Sequence, residues 1–495
     1  MSLGFEKMKS AVLQDPRCDF DEADQKYIIQ KPGEDVTYRN VTSTSFSTSS
    51  VNFSAPPPSP ATIVDRRIEM RCKFRMTFTG TSLGATLLQI GANDAPRSFP
   101  LSQAINTLRI SVNNISISTE LSDYHNALIH YNTGRDAKEY DYSTSPAMLD
   151  QYQVYNDYLL YGSAKNCLGS YGENGYKGPR GGYPRVNVIS DDGTTAVVDL
   201  EVTEMLFLNP LLWGREANEK GFIGVQTFDV VANFNNNLER YLWSHNATSG
   251  ENITAVNVEI LESPALLFTY ITPDLLDMPN ISDDIVYPYY NIDRYVDRGQ
   301  AVNAGASFSR TSNNIQLNSI PKRIYIFARR KNDDKRIEHA DTYARLDSIS
   351  LSWNNRNGLF SGAQTEDLYL TSVRNGLNMS FDQWYKYQGS VFCIDFAKDI
   401  GMSSIEAPGL LGTYQFQYTA NFTNVNDVDA SVDFDVFTVV VSEGTFTIAQ
   451  NRAISQIGVE KKNFCYKLQR FVVPQNINFN MAQKNHMLSP CRPCA

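Results

Sequence analysis

One segment of strict alternation between apolar and polar residues constrains this chain more than any other feature. Over residues 68–79 every second side chain is apolar, the set being Ile68, Met70, Cys72, Phe74, Met76 and Phe78. A period of two places these side chains on one face of a strand, and a single apolar face is typical of an antiparallel strand with one face in a core. On that face Cys72 is expected to pack as a small hydrophobe and not to act as a nucleophile.

Short strands bounded by turn residues recur along most of the chain. Charged residues make up only 20% of the 495 residues, whereas Tyr (27) and Phe (26) are abundant, a composition that suits pleated strands joined by polar turns. The pattern predicts an all-β protein made of sandwiches, with few helices between the strands. Further strands are predicted at residues 108–118 (with an Asn-Asn turn or kink), 196–208, 228–234, 255–260, 265–270, 322–330, 346–355 and 412–422, and a hairpin is predicted from 434–441 and 445–448.

The second half of the chain repeats the plan of the first. In both halves a long strand flanked by basic residues precedes a strand that carries an Ile-Ser pair and then an Asn-Asn pair, and Ile110 and Ile349 in these strands lie 239 positions apart. We therefore predict two similar β domains of about 200 residues each. The expected divisions are an N-terminal extended arm at 1–60, a first domain at 61–275, a second domain at 276–458 and a C-terminal tail at 459–495.

Charge argues against a protein that coats nucleic acid. The formal net charge is −10, and residues 1–40 hold six basic and eight acidic side chains, so the arm offers no excess of cations to neutralise phosphates. The prolines of residues 55–60 predict an extended end to the arm. No secretion signal and no apolar run long enough to span a bilayer occur, so we expect no membrane span.

Helices are expected only in the loops between strands. Apolar spacing predicts helices over residues 121–128 and 145–159, and the glycine and tyrosine segment at 169–183 is expected to be a surface loop. That segment lacks the GK[ST] ending of a phosphate-binding loop, so nucleotide binding is not expected.

A search for chemistry gives no catalytic, cofactor-binding or metal site, and we expect neither an enzyme nor a bound cofactor. The five His residues carry none of the known hydrolase or metalloprotease signatures, and His125 is expected to pack in a core. Residues 426–435 resemble half of a calcium loop but lack its Gly and its final acidic residue. Cys491 and Cys494 have metal-ligand spacing without a second pair, so a plain tail is favoured over a zinc site.

The cluster of Arg329, Arg330 and Lys331 beside Asp333 and Asp334 is interpreted as a mixed, solvated surface. The seven scattered Cys fit reduced thiols better than a disulfide framework.

Four segments occur in an order that resembles a known family. They are the prolines before the first long strand, Asn-Pro-Leu-Leu-Trp-Gly at 209–214, Val-Tyr-Pro-Tyr-Tyr at 286–290 and Ser-Ile-Pro-Lys-Arg-Ile-Tyr-Ile-Phe-Ala-Arg-Arg at 319–330. Together they resemble the major capsid proteins of double jelly-roll DNA viruses, in particular the virophage, polinton-like and adintovirus-like group, from about residue 42 to about residue 458.

The resemblance implies two tandem eight-stranded jelly rolls. It also implies a homotrimer with a pseudo-hexameric outline that tiles an icosahedral capsid, so the expected partners are other copies of the chain, neighbouring capsomers, and penton and minor capsid proteins. The implied location is the virion, and no sequence-specific nucleic acid contact is implied.

Two other functions compete with this hypothesis. A β-sandwich carbohydrate-binding protein or glycoside hydrolase would use exposed aromatic rings to stack on sugars, and the candidates are Trp213, Trp243, Trp353 and Trp384. An RNA-virus coat with a single jelly roll and a projecting domain is disfavoured by the acidic arm and by the two similar halves.

Overall fold

The structure is a computed structural model in which strands dominate. It describes residues 35–59, 61–90, 94–129, 131, 186–206, 221–245, 252–272, 284–339, 343–382, 384–385, 389–402, 407–425, 430–449 and 452–458. Among these residues no helix is long and apolar enough to cross a membrane.

The first domain contains strands β1 to β14. Their bounds are β1 (Asp35–Thr42), β2 (Ser45–Phe46), β3 (Ser50–Ser54), β4 (Ile63–Val64), β5 (Glu69–Thr81), β6 (Asp94–Pro96), β7 (Ile105–Val112), β8 (Ile115–Thr119), β9 (Val186–Asp191), β10 (Thr195–Met205), β11 (Phe228–Phe234), β12 (Trp243–His245), β13 (Asn252–Ile260) and β14 (Ala265–Thr272).

Two antiparallel sheets of this domain face each other across one core. One sheet has the order β1-β14-β5-β10-β9 and the other the order β2-β3-β11-β7-β8. If the eight principal strands are numbered along the chain, the sheets read 1-8-3-6 and 2-7-4-5, which is the double-sheet arrangement of a jelly roll. Phe74 of β5 meets Phe234 of β11 edge to face between the sheets, with ring centroids 6.3 Å apart.

The second domain contains strands β15 to β25. Their bounds are β15 (Asp284–Asp297), β16 (Ala301–Asn303), β17 (Ser307–Thr311), β18 (Ile315–Ser319), β19 (Arg323–Arg330), β20 (Arg345–Trp353), β21 (Arg356–Leu359), β22 (Val391–Asp395), β23 (Leu411–Thr423), β24 (Ser431–Ala449) and β25 (Arg452–Ile457).

The second domain repeats the topology of the first. Its sheets have the orders β15-β24-β19-β22 and β17-β23-β20-β21, again 1-8-3-6 and 2-7-4-5. The predicted internal repeat is confirmed at the level of topology, because Ile110 and Ile349 lie in β7 and β20, the fourth principal strand of each domain. The expected fold, two tandem jelly rolls, is therefore the fold observed.

The alternating segment behaves as predicted. In β5 the side chains of Met70, Cys72, Phe74, Met76 and Phe78 are all buried in the core of the first domain. Burial raises the pKa of the Cys72 thiol, so this cysteine is held as the neutral thiol and packs as a hydrophobe. The Asn-Asn pair after β7 is a turn, since Asn113 and Asn114 both have positive φ, as a two-residue hairpin of the I′ type requires.

The expected extended arm differs from the structure between residues 35 and 54. This part of the chain forms β1, β2 and β3, and β1 and β3 are the first two principal strands of the jelly roll. Val51 and Phe53 of β3 insert into the core, with 0% and 2% of their surface exposed. The polar residues that alternate with them, Ser50, Asn52 and Ser54, made this strand look like a polar arm in the sequence, although a strand in a sandwich needs only one apolar face. Residues 1–34 lie outside the described chain.

The predicted hairpin at residues 434–448 is wrong. The segment is a single long strand, β24, which pairs with β15 from Val436 to Ala449 without interruption. Gly444 does not mark a turn. A Cβ there would lie 2.2 Å from the carbonyl oxygen of Gln456, so glycine permits β25 to approach.

Helices occupy the connections between strands. They are α1 (Pro100–Ala104), α2 (Leu121–Leu128), α3 (Glu239–Leu242), α4 (Thr365–Arg374) and α5 (Phe396–Asp399), and a 3-10 turn spans Asn332–Asp334. The helix predicted at 121–128 is confirmed as α2. The helix predicted at 145–159, the loop at 169–183 and the tail at 459–495 lie outside the described residues.

Candidate functional site: the junction between the two domains

The two domains share parts of their cores. Tyr287, Tyr289, Phe446, Ile448 and Ala453, all from the second domain, pack in the hydrophobic cluster of the first domain. In the reverse direction Tyr124, Ala127, Leu128 and Tyr131 from the first domain pack in the cluster of the second. Because each core is completed by side chains from the other domain, the two jelly rolls are expected to move as one body.

An arginine and two aromatic rings form one end of this junction. The Arg66 guanidinium lies 5.1 Å from the ring centroids of both Phe222 and Tyr287, a distance typical of cation–π contacts. The Tyr287 hydroxyl accepts from the backbone N–H of Ile223 at 3.0 Å and donates to the carbonyl of Gly221 at 3.2 Å. Burial raises the pKa of Tyr287, so its hydroxyl stays protonated as a donor.

A buried carboxylate, Asp123 in α2, collects donors from the second domain. It accepts from Asn332 Nδ2 at 2.9 Å and from Arg329 Nη2 at 3.4 Å, and it pairs with Arg294. Arg329 also donates to the carbonyl of Ser122 at 2.6 Å. Asp123 is only 3% exposed, so these are charges removed from water and held by partners of fixed geometry.

The interpretation of the Arg329 cluster as a solvated surface is wrong for its two arginines. The side chain of Arg329 is 12% exposed and that of Arg330 is 3% exposed, with Arg330 Nη1 2.8 Å from Asp334 Oδ2. Sequence alone could not show this for Arg329, because the helix that it contacts, α2, precedes it by about 200 residues.

The loop after β19 is held by hydrogen bonds to the first domain. Arg97 is fully buried and donates from Nη2 to the carbonyls of Arg336 at 2.8 Å and His339 at 2.6 Å. Lys335 Nζ donates to Gln103 Oε1 at 2.9 Å. The backbone N–H of His245 donates to the carbonyl of Ile337 at 2.9 Å, which ties β12 to the same loop. Each contact joins residues that are far apart in sequence, and each satisfies a buried polar group.

A second buried carboxylate, Asp94, organises the strand pair β6 and β12 at this junction. It accepts from Trp243 Nε1 at 3.1 Å and from the backbone N–H of Gln89 at 2.8 Å, and its Oδ1 lies 2.8 Å from His245 Nδ1. Asp94 and His245 are each 1% exposed. The arrangement fixes the imidazole and the indole by hydrogen bonds to one carboxylate.

Glu204 is a buried carboxyl that caps α1. It accepts from the backbone N–H groups of Leu101 and Ser102, both at 2.8 Å, and from Ser102 Oγ at 2.6 Å. These donors favour the charged form, but burial outweighs them and raises the pKa of Glu204 to about 7.

His125 packs in a core, as predicted. Its ring meets Phe99 edge to face with centroids 5.3 Å apart, and the residue is 5% exposed. Burial lowers the pKa of His125 to about 4, so the imidazole is neutral at neutral pH.

The described residues bring together no group of three or more His, Cys, Asp or Glu side chains that could hold a metal ion. Cys491, Cys494 and the first four residues of the calcium-like segment, 426–429, lie outside the described chain. Asp433 and Asp435 belong to strand β24. The absence of catalytic, metal and cofactor sites therefore stays a prediction.

The tryptophans do not favour sugar binding. Trp243, Trp353 and Trp384 are 0%, 3% and 0% exposed, so their rings cannot stack on a ligand in solvent. Trp213 lies outside the described residues. The observation that suggested a carbohydrate-binding function is thus lost for three of the four rings.

Comparison with known proteins decides the family. The family model of the Sputnik virophage major capsid protein first domain matches residues 6–272, and that of the major capsid protein V20 C-terminal domain matches residues 287–388 and 383–444. The chain is also 33% identical over 488 residues to the putative capsid protein V20 of Sputnik virophage, covering 91% of this chain and 80% of that protein. The chain belongs to the virophage major capsid protein family. The resemblance seen in the sequence is confirmed.

Solved structures agree with this assignment. A chain of the Sputnik virophage structure determined by cryo-electron microscopy matches with a TM-score of 0.82 and 30% identity, covering 94% of this chain and 96% of that chain. The crystal structure of the mavirus major capsid protein matches with a TM-score of 0.69 over 94% of this chain and 98% of that chain, at 14% identity, and supports the fold. This virophage capsid protein therefore acts as a structural protein in the shell of the virion, as expected from the resemblance.

Proposed function

We propose that this virophage capsid protein forms homotrimers in which six jelly rolls make a pseudo-hexameric capsomer of the icosahedral shell. The observation that supports this is the repeated topology: both domains have sheets ordered 1-8-3-6 and 2-7-4-5 along the chain. Three copies of a chain with two similar domains supply six similar wedges around a threefold axis.

The junction supports the same proposal. A ring of six wedges closes only if the angle between the two domains of each chain is constant. The shared cores and the donors that converge on Asp123 and on the loop after β19 hold that angle in this chain. In this proposal the protein has no enzymatic activity and no cofactor, and its partners are its own copies, neighbouring capsomers, and penton and minor capsid proteins.

Native mass spectrometry of the full chain tests the trimer. A chain of 55.6 kDa should give a species of about 167 kDa, and negative-stain images of that species should show a hexagonal outline. A protein that stays monomeric at every salt concentration and pH between 5 and 8 would contradict the proposal.

A further inference from the structure

The outer edge of β1 is a long open sheet edge of the described chain. β1 is eight residues long, it pairs with β14 in an unbroken register, and no described strand pairs with its other edge. Its sequence holds neither Pro nor Lys, the residues that natural edge strands use to prevent pairing. Such an edge presents free backbone donors and acceptors to another strand.

Several other described edge strands are protected in recognisable ways, although the nine-residue β13, which pairs only with β5, is also open on its outer edge. Strands β2, β8, β17 and β21 are two to five residues long, and the register of β9 with β10 shifts between Val197 and Val198. Strand β15 carries Pro288, and β22 is buried along its whole length. β1 differs from these protected strands, and its open edge can accept another strand.

The side chains of β1 are also exposed in an unusual way. Tyr38 is 81% exposed and Val36 is 39% exposed, on the same face of the strand, whereas Asp35, Thr37 and Arg39 are exposed on the other face. Tyrosine is enriched among residues that carry the energy of protein interfaces, and an aromatic ring left in water on an edge strand is typical of such a residue.

The sequence of β1 is complementary to itself in one antiparallel register. With Thr37 opposite the Thr37 of a second copy, Asp35 faces Arg39 and Val36 faces Tyr38, and symmetry repeats both pairs. Opposite charges, apolar or aromatic pairs and Thr-Thr pairs are the cross-strand combinations that stabilise antiparallel sheets. A shift by two residues in either direction moves Arg39 away from Asp35, so the charges select this register.

We propose that two copies of this capsid protein pair through β1 across a twofold axis at Thr37, which joins their seven-stranded sheets into one. A twofold contact cannot lie on the threefold axis of the proposed trimer, so it links neighbouring capsomers. In this respect the inference rests on the proposed function. The occupant of the edge is therefore the β1 strand of a second copy of the chain.

A disulfide at the symmetry axis tests the register. In assembled particles of the full-length Thr37→Cys variant, oxidation should produce a peptide linked from position 37 to position 37, identified by mass spectrometry without reduction. The matched control is Tyr38→Cys, because two copies of residue 38 would be diagonal neighbours about 7–8 Å apart, too far for a disulfide. Absence of the 37–37 link, or equal linking at position 38, overturns the proposal.

A charge exchange tests the ion pairs. Arg39→Asp places two acidic residues opposite each other at both ends of the pair and should weaken association between capsomers about tenfold in light scattering at low salt. The double variant Asp35→Arg with Arg39→Asp has the composition of the wild type, restores both pairs and should recover most of the association. A double variant as weak as the single one overturns the proposal.

The two proposals fail differently. A trimer that never associates further contradicts pairing through β1 and leaves the trimer standing. A protein that forms no trimer but still gives the 37–37 link between two copies contradicts only the proposed trimer. Circular dichroism of each variant, compared with the wild type, establishes that the variant keeps the overall secondary structure.

Discussion

Glu204 should make the stability of this protein fall as the pH rises. Its carboxyl is 2% exposed, and its three donors at 2.6–2.8 Å do not offset the loss of water, which raises its pKa from 4.5 to about 7. Between these two values the folded state keeps a proton that the unfolded state has released. Stability therefore falls from pH 4.5 upward and levels off above pH 7, the opposite of an acid whose folded pKa is depressed.

The size of the effect follows from the shift. Each pKa unit corresponds to about 1.4 kcal/mol, so the full loss between pH 4.5 and pH 8 is about 3 kcal/mol. The Glu204→Gln variant keeps one acceptor for the N–H groups of Leu101 and Ser102 and has no proton to release in this range. We expect it to be about 1 kcal/mol less stable than the wild type at pH 5, where it loses one hydrogen bond, and more stable at pH 8.

Urea unfolding followed by tryptophan fluorescence at pH 5, 6, 7 and 8 measures this crossover. The difference between variant and wild type isolates Glu204 from other titrating groups, among them His125, whose lowered pKa acts with the opposite sign below pH 6.5. The exposed Glu259, changed to Gln, is the matched control and should give a curve parallel to the wild type. Parallel curves for Glu204→Gln and the wild type would refute the reasoning.

Two further substitutions test the packing of the second domain and the junction. Asp123→Ala leaves the partly buried Arg294 and Arg329 without their carboxylate and should lower the free energy of unfolding by about 3 kcal/mol, whereas Asp333→Ala, at an 82% exposed side chain, should change it by less than about 0.5 kcal/mol. Equal urea midpoints for the two variants would contradict the described junction. Gly299→Ala would place a Cβ 1.5 Å from the carbonyl oxygen of Phe434 and should cost at least about 3 kcal/mol, whereas Gly362→Ala meets no atom within 4 Å and should be neutral within about 0.5 kcal/mol. A thermal melt of Gly299→Ala that matches that of Gly362→Ala would show that the backbone approach at residue 299 is wrong.

The sequence was sufficient to predict the strands because each strand carries its own signal. β5 could be located from six alternating residues, and the hairpin between β7 and β8 from Asn113 and Asn114, since burial on one face and positive φ are local requirements. The similarity of the two halves of the chain is also visible in the sequences of two corresponding strands, β7 and β20. Prediction failed where the same residue type can serve more than one structural role. Gly444 suggested a turn but serves the close approach of β25, and the Ser-rich segment around Val51 suggested an arm but forms a strand.

The junction could not be predicted, because its partners carry no local pattern. Arg97 donates to carbonyls about 240 residues away, and Arg329 meets a helix about 200 residues before it. A basic residue in a polar segment has the same appearance in sequence whether it faces water or a buried carbonyl. The one signal in the sequence was the cluster of basic and acidic residues at 329–334. The burial of Arg329 in that cluster depends on its contact with α2, which the sequence does not show.

The junction between the two domains contains buried polar and charged groups, although an apolar junction would give the chain similar stability. Replacing buried ion pairs with packed hydrophobic side chains is often neutral or stabilising, so Asp123 and its arginines are weak as a source of stability. Hydrogen bonds of fixed direction restrict the angle between the two domains, whereas an apolar interface tolerates sliding and rotation. In the proposed ring of six domains an error in that angle would be repeated at every copy, and the β1 edges proposed to pair between capsomers would lose their register. A buried polar junction inside the chain and a self-complementary strand such as β1 at its surface are therefore two parts of one requirement, that identical copies meet at a single orientation.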